Sequence, residues 1–238
     1  MSSLLADYDH KQRISLLAGI AVVSIIAWQT EIGSLLLYPF TILATWFHEM
    51  GHGLAAMLMG SRFDSLQIFA DGSGVALSSR PAGFAPLTDA LVSASGPLGP
   101  AIAGSLLIIA SRTKEATRIA LAVVGAALLI TTLIWVRSLT GWLVLPALGV
   151  AILVLALRGT DDQQGFGIQF LGVQACISVW QQFGYLFSSG GSVGGAEQRS
   201  DTSAIADALL LPYWFWGAAI SVGILAMLWG SFAVAFRR

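Results

Sequence analysis

Charge is what this chain most lacks. Lys, Arg, Asp and Glu make up 11% of its 238 residues, against about 25% in a soluble globular domain. With 12 basic and 13 acidic residues the net charge is −1. That leaves no basic face for a polyanion, so nucleic acid is not an expected partner. Cysteine is nearly missing. Cys176 alone excludes an intrachain disulfide framework and a thiolate metal cluster. Histidine is scarce, three in all, so where each one falls carries weight. No internal repeat and no soluble domain is evident. A polar stretch (Asp7, Asp9, His10, Lys11, Arg13) precedes the first apolar run, which lacks a small-residue cleavage site and reads as a retained span.

What is present is apolar surface. Hydrophobic residues reach 56% and mean hydropathy is +0.78, with several runs of roughly 20 residues. The chain is therefore expected to be an all-α polytopic membrane protein, one domain over 1–238. Apolar segments lie at 14–28, 33–59, 86–111, 116–135, 139–157, 166–187 and 209–236, giving six to seven transmembrane helices. Pro39 sets the start of the continuous helix in the second segment, and Gly96-Pro97-Leu98-Gly99-Pro100 interrupts the third. Residues 62–80 alternate in polarity around Asp71-Gly72, the signal of a short β-hairpin. Residues 188–200 read as a flexible Gly/Ser linker.

Two of the three histidines fall in TWFHEMGHG, residues 45–53. His48 and His52 stand at i and i+4, on one face of a helix and close enough to bind one ion. Glu49 beside them can take a proton from a water held there. His48 lies eleven residues before Met59, ~16 Å along a helix axis, near the middle of a ~30 Å hydrocarbon core. Ionisable groups at that depth are costly and mark function. The plainer reading is a His–Glu–His hydrogen-bond cluster that pins helices together. A catalytic zinc site takes three protein ligands and keeps one position open. The third histidine, His10, precedes the first span. Most of the acids belong to termini, loops, the hairpin or the linker. That leaves Asp89, Asp201 and Asp207, with Gln174 and Gln181 as amide candidates whose plainer role is interhelical hydrogen bonding.

His48-Glu49-Met50-Gly51-His52-Gly53 in an early membrane helix resembles the site-2 protease family of intramembrane zinc metallopeptidases. The likeness is closest to its compact bacterial branch, which has no PDZ domain. Asp71-Gly72-Ser73-Gly74 is similar to that branch's hairpin turn, and Ser95-Gly96-Pro97-Leu98 to its Gly-Pro signature. Ser200-Asp201, followed by Leu211-Pro212 and the Trp-rich last helix, is similar to its C-terminal pattern. The family core takes its third ligand from an Asp in a later Asn-Pro…Leu-Asp-Gly helix, which has no match here. Arg137 to Pro146 holds roughly that place without an acid, and Pro100 stands where the family usually has Asn. By resemblance and elimination Asp201 is the expected third ligand, with Gln181 and Asp89 as alternatives.

The resemblance implies Zn²⁺ as cofactor, Glu49 as general base, and a transmembrane protein or peptide cut within the lipid bilayer of a bacterial inner membrane. The hairpin edge near Phe69 and Val75 is expected to hold an unwound substrate strand, and Gly96 and Pro97 to shape the opposite wall. The rival is a degenerate homologue acting as a membrane scaffold or small-solute carrier. Helices broken by Gly and Pro suit carriers, but a carrier needs no Glu between the two histidines.

Overall fold

The computed structural model describes residues 10–79, 85–181 and 183–235. Helix α1 (His10–Trp28) and helix α2 (Glu31–Leu58) meet at 115° across a short turn. Thr30 has extended backbone (φ −116°, ψ 146°), and its hydroxyl accepts the Gly33 N–H at 3.0 Å. This is a side-chain N-cap, which satisfies a donor that the helix itself cannot. α2 then runs through Pro39 without a break, so the helix does not begin there as expected. The proline withholds one N–H and releases one carbonyl. Beyond it Ile42, Leu43 and Trp46 are buried in the core and hold the axis. Gly60 ends the helix at φ +87°, the left-handed position that glycine takes at no steric cost.

Strands β1 (Arg62–Ile68) and β2 (Gly74–Ser79) form the expected antiparallel hairpin, with Ile68 opposite Gly74. In its turn Asp71 Oδ1 accepts the Ser73 N–H at 2.9 Å, and Gly72 has φ +87°. Hydrogen bonds from Ser73 hold the Asp71 carboxyl below the usual carboxylate range. The turn is tied down on α2: the Tyr38 hydroxyl donates to the Ala70 carbonyl at 3.0 Å, and Thr45 to that of Gly72 at 2.6 Å. The outer edge of β1 is closed by the Arg137 N–H, which donates to the Leu66 carbonyl at 2.9 Å, and by Ser138 Oγ, which accepts the Ile68 N–H at 2.9 Å. Among the described residues β2 has only β1 as a strand partner, so no third strand lies on its outer edge.

The chain continues as α3 (Pro86–Ala110), α4 (Lys114–Trp135), α5 (Leu139–Arg158), α6 (Asp161–Gln181) and the short α7 (Phe183–Leu186). α3 is unbroken through Pro97 and Pro100, which corrects the expected interruption. Close packing explains it. A Cβ at Gly51 of α2 would sit 2.3 Å from the Ser95 carbonyl oxygen, and one at Gly99 would sit 2.3 Å from that of Phe47. Glycines on both helices let the backbones touch, and α6 packs on α3 as well. Gln174 of α6 donates to Ser24 of α1 at 2.6 Å, the interhelical role read from its position.

Residues 188–200 are not a bare linker. They contain strands β3 (Gly190–Val193) and β4 (Ala196–Arg199), antiparallel, with Val193 opposite Ala196. The Gly194-Gly195 link has φ of +58° and +83°, as a two-residue hairpin turn requires. Helix α8 (Asp201–Leu209) starts directly afterwards, with Ser200 Oγ accepting the Ser203 N–H at 3.2 Å. Helix α9 (Tyr213–Ala235) closes the described chain.

The protein is thus a mostly helical integral membrane protein with a small hairpin after the HExxH helix. Helices α3, α4, α5 and α9 are long and apolar enough to cross a membrane, and α1 with α2 adds a fifth span if the bent pair is taken as one. The number is close to the expected six to seven. The difference lies in α1 and α2, which count together as at most one span, and in α6, which carries Asp161, Asp162 and several glutamines. Val123, Leu133, Leu143, Val222 and Trp229 point outward from the spans, where lipid rather than water suits them.

Candidate metal centre

One turn of α2 faces the N-terminus of α8. His48 and His52 stand on that turn with ring centroids 4.9 Å apart and Nε2 atoms 3.1 Å apart. Asp201, the first residue of α8, turns both oxygens toward them. Its Oδ2 is 3.1 Å from His48 Nε2, and its Oδ1 is 3.2 Å from His52 Nε2. Among the described residues these three form the cluster of His, Cys, Asp or Glu side chains close enough to hold an ion. His52 Nδ1 lies 2.8 Å from the Val92 carbonyl. A carbonyl can only accept, so Nδ1 carries the proton and Nε2 turns its lone pair to the centre.

Does this donor set fit a metal? Asp201 Oδ2 is buried and lacks a well-formed hydrogen bond, despite its nearness to His48. A buried carboxylate oxygen in that state is costly, and a divalent ion between it and two imidazoles removes the cost. Ligand atoms around a tetrahedral zinc with bonds of ~2.0–2.1 Å stand roughly 3.3 Å apart. The separations of 3.1–3.2 Å found here are close to that, so the residues fit.

Glu49 is buried beside the two rings, 6% exposed. Gly74 and Ala76 of β2 line the same cavity as Glu49, so the first hairpin walls it on one side. Gly74 leaves the carboxylate room, since a Cβ there would lie 2.8 Å from Glu49 Cγ and 3.0 Å from its Oε1. Two cavities meet at this point. The larger, about 290 Å³, is walled by the three ion-cluster residues and by Gly74–Ser78 of β2. The smaller, about 230 Å³, is walled by Thr41, Thr45, Ser178 and Gly191–Val193 of β3. His48, Glu49, Gly74 and Tyr185 belong to both walls. The arrangement gives an extended chain room along a strand edge, beside a buried proton acceptor.

Of the residues singled out in the sequence, His48, Glu49, His52 and Asp201 come together. Val75 lines the larger cavity. Gly96 lies against the two imidazoles. Pro97 is buried in α3 and stands in neither cavity wall. Phe69 meets the second hairpin: a Cβ on Gly194 would sit 2.5 Å from its ring, and the Gly194 N–H donates to Ser73 Oγ at 3.2 Å. Asp89 is in the first turn of α3, outside the cluster. Asp207 pairs with Arg199. The side chain of Gln181 lies outside the described residues. Sequence reasoning missed Tyr185 and the β3–β4 walls. Gly194-Gly195 between two short runs was a usable hairpin signal, whereas nothing around Tyr185 marks it.

A buried HExxH turn completed by an aspartate, inside a bundle of membrane helices, defines a class: a membrane protein built around a metallopeptidase-type site. The comparison with protein families agrees. The sequence model for Peptidase M50B-like matches residues 16–231, nearly the whole chain, and the chain belongs to that family. This is the family relationship that the resemblance to site-2 proteases implies. Neither the curated proteins nor the solved structures gave a match.

Proposed function

We propose that this protein is an intramembrane zinc endopeptidase that cuts membrane-embedded protein or peptide substrates, seated in a bacterial cell membrane. The observation that carries the reading is the convergence of His48, His52 and Asp201 next to a buried Glu49. His48, His52 and Asp201 would hold the ion. When bound, zinc supplies Lewis acidity and makes water a nucleophile near neutral pH.

The chain's own groups do the rest. Glu49, buried beside the two imidazoles, takes the proton of the attacking water and passes it to the leaving amine. The Val92 carbonyl keeps the His52 ring in one tautomer. A helical peptide bond is internally hydrogen-bonded and shielded, so the substrate segment must unwind. The outer edge of β2, reached through the larger cavity, can take the unwound strand as a neighbour. Phe69 stands at the turn end of that edge, and Gly96 lies against the two imidazoles.

The test is Glu49→Gln in full-length protein reconstituted with a transmembrane reporter peptide. Cleavage should fall by about 10²–10⁴-fold, the usual worth of a general base, with zinc content unchanged. Undiminished cleavage overturns the mechanism.

A further inference from the structure

We propose that Thr202 and Ser200 are positioning residues that fix Asp201 as the third donor; the inference rests on the metal centre proposed above. Both flank Asp201, and both are fully buried, 0% exposed. Buried hydroxyls need partners, and each finds one in the same place. Thr202 Oγ1 donates to the Leu186 carbonyl at 2.9 Å, and Ser200 Oγ donates to the Ser188 carbonyl at 2.6 Å. The Ser200 N–H also reaches the Ser189 carbonyl at 3.3 Å, and the Tyr185 hydroxyl donates to the Arg199 carbonyl at 3.1 Å. Residues 185–189 and 199–202 are thereby joined on both sides of Asp201, and the β3–β4 hairpin is the loop that this junction closes.

The physical reason for such a junction lies in what Asp201 must do. Its two oxygens face imidazole nitrogens on another helix at 3.1 and 3.2 Å. Before an ion arrives, that contact gives the buried Oδ2 no well-formed hydrogen bond. A residue at the first position of a helix would relieve the cost by swinging away. The hydroxyls on either side anchor the backbone to the 186–188 turn and hold the carboxylate in place. Groups that orient a ligand without touching the metal typically change metal affinity by about 10–100-fold.

The test is zinc affinity of the full chain in detergent, read by competition with a chelating dye. Thr202→Val keeps the shape and removes the donor, and should weaken zinc binding by about 10–100-fold. Thr202→Ser, which keeps the hydroxyl, should bind like the wild type. Ser200→Gly removes the other anchor from a position where glycine still serves as a cap, and should also weaken binding. It answers the question if Thr202→Val does not fold.

The discriminating step repeats Thr202→Val in an Asp201→Ala background. There the weaker binding left to His48 and His52 should not change further, because the residue acts through Asp201. An equal loss in both backgrounds would mean a general structural role and overturn the proposal. Wild-type affinity in both Thr202→Val and Ser200→Gly would overturn it too, with the metal centre intact. A wild-type chain that takes up no zinc overturns the metal centre and this inference together.

Discussion

Gly96 of α3 lies against the Nε2 side of His52. A Cβ at Gly96 would sit 2.1 Å from His52 Nε2 and 2.8 Å from His48 Nε2. Real Cβ atoms do not approach that closely, and both rings are held, one of them by the Val92 carbonyl. The missing side chain therefore makes the space in which the two imidazoles converge. Gly96→Ala should abolish zinc uptake while the helical content seen by circular dichroism is kept, since α3 needs no glycine there to stay helical. Full zinc occupancy in that variant would contradict the geometry.

The contact between the two hairpins gives a second prediction. Phe69 packs where a Gly194 side chain would be, and Ser73 Oγ accepts the Gly194 N–H. Phe69 is half-buried, so Phe69→Ala should cost about 1–3 kcal/mol, less than the ~3–5 kcal/mol of a fully buried phenylalanine. The loss should be local. Amide exchange should speed up across 190–199, which walls both cavities, and stay unchanged in α4 and α5. Uniform acceleration everywhere would mean that the hairpin contact is not a separate unit.

Acid should loosen the first turn. The Asp71 carboxyl is held below its ordinary 3.8 by hydrogen bonds from Ser73. A depressed folded-state value means that its contribution is present above the unfolded value and is lost as pH falls through the folded one. Asp71→Ala should therefore melt lower than the wild type near pH 7. The gap should narrow only as pH drops below 3.8. A gap that stays constant into that range would remove the charge from the explanation.

Much of this molecule is legible in its residues, because local chemistry decides those parts. The i, i+4 spacing puts His48 and His52 on one helix face whatever else happens. Asp71-Gly72 makes its turn. The failures are tertiary. Pro39, Pro97 and Pro100 each argue locally for a break, yet close packing keeps α2 and α3 whole. The Gly/Ser stretch looks unstructured until its Gly-Gly turn is matched with the strands on either side. Asp201 could be ranked first only by elimination and resemblance. What brings it to α2 is the fold of a distant segment: the junction around residues 185–189, together with α3, which packs on both α2 and α8.

His48, His52 and Asp201 are proposed to hold one metal ion together. The most direct measurement is zinc stoichiometry of the purified full-length chain, paired with X-ray absorption at the zinc edge. One zinc per chain with nitrogen and oxygen ligands and no sulfur is expected. Most of that zinc should be lost in Asp201→Ala and retained in Glu49→Gln. An Asp201→Ala variant that holds zinc as fully as the wild type would contradict the three-residue site.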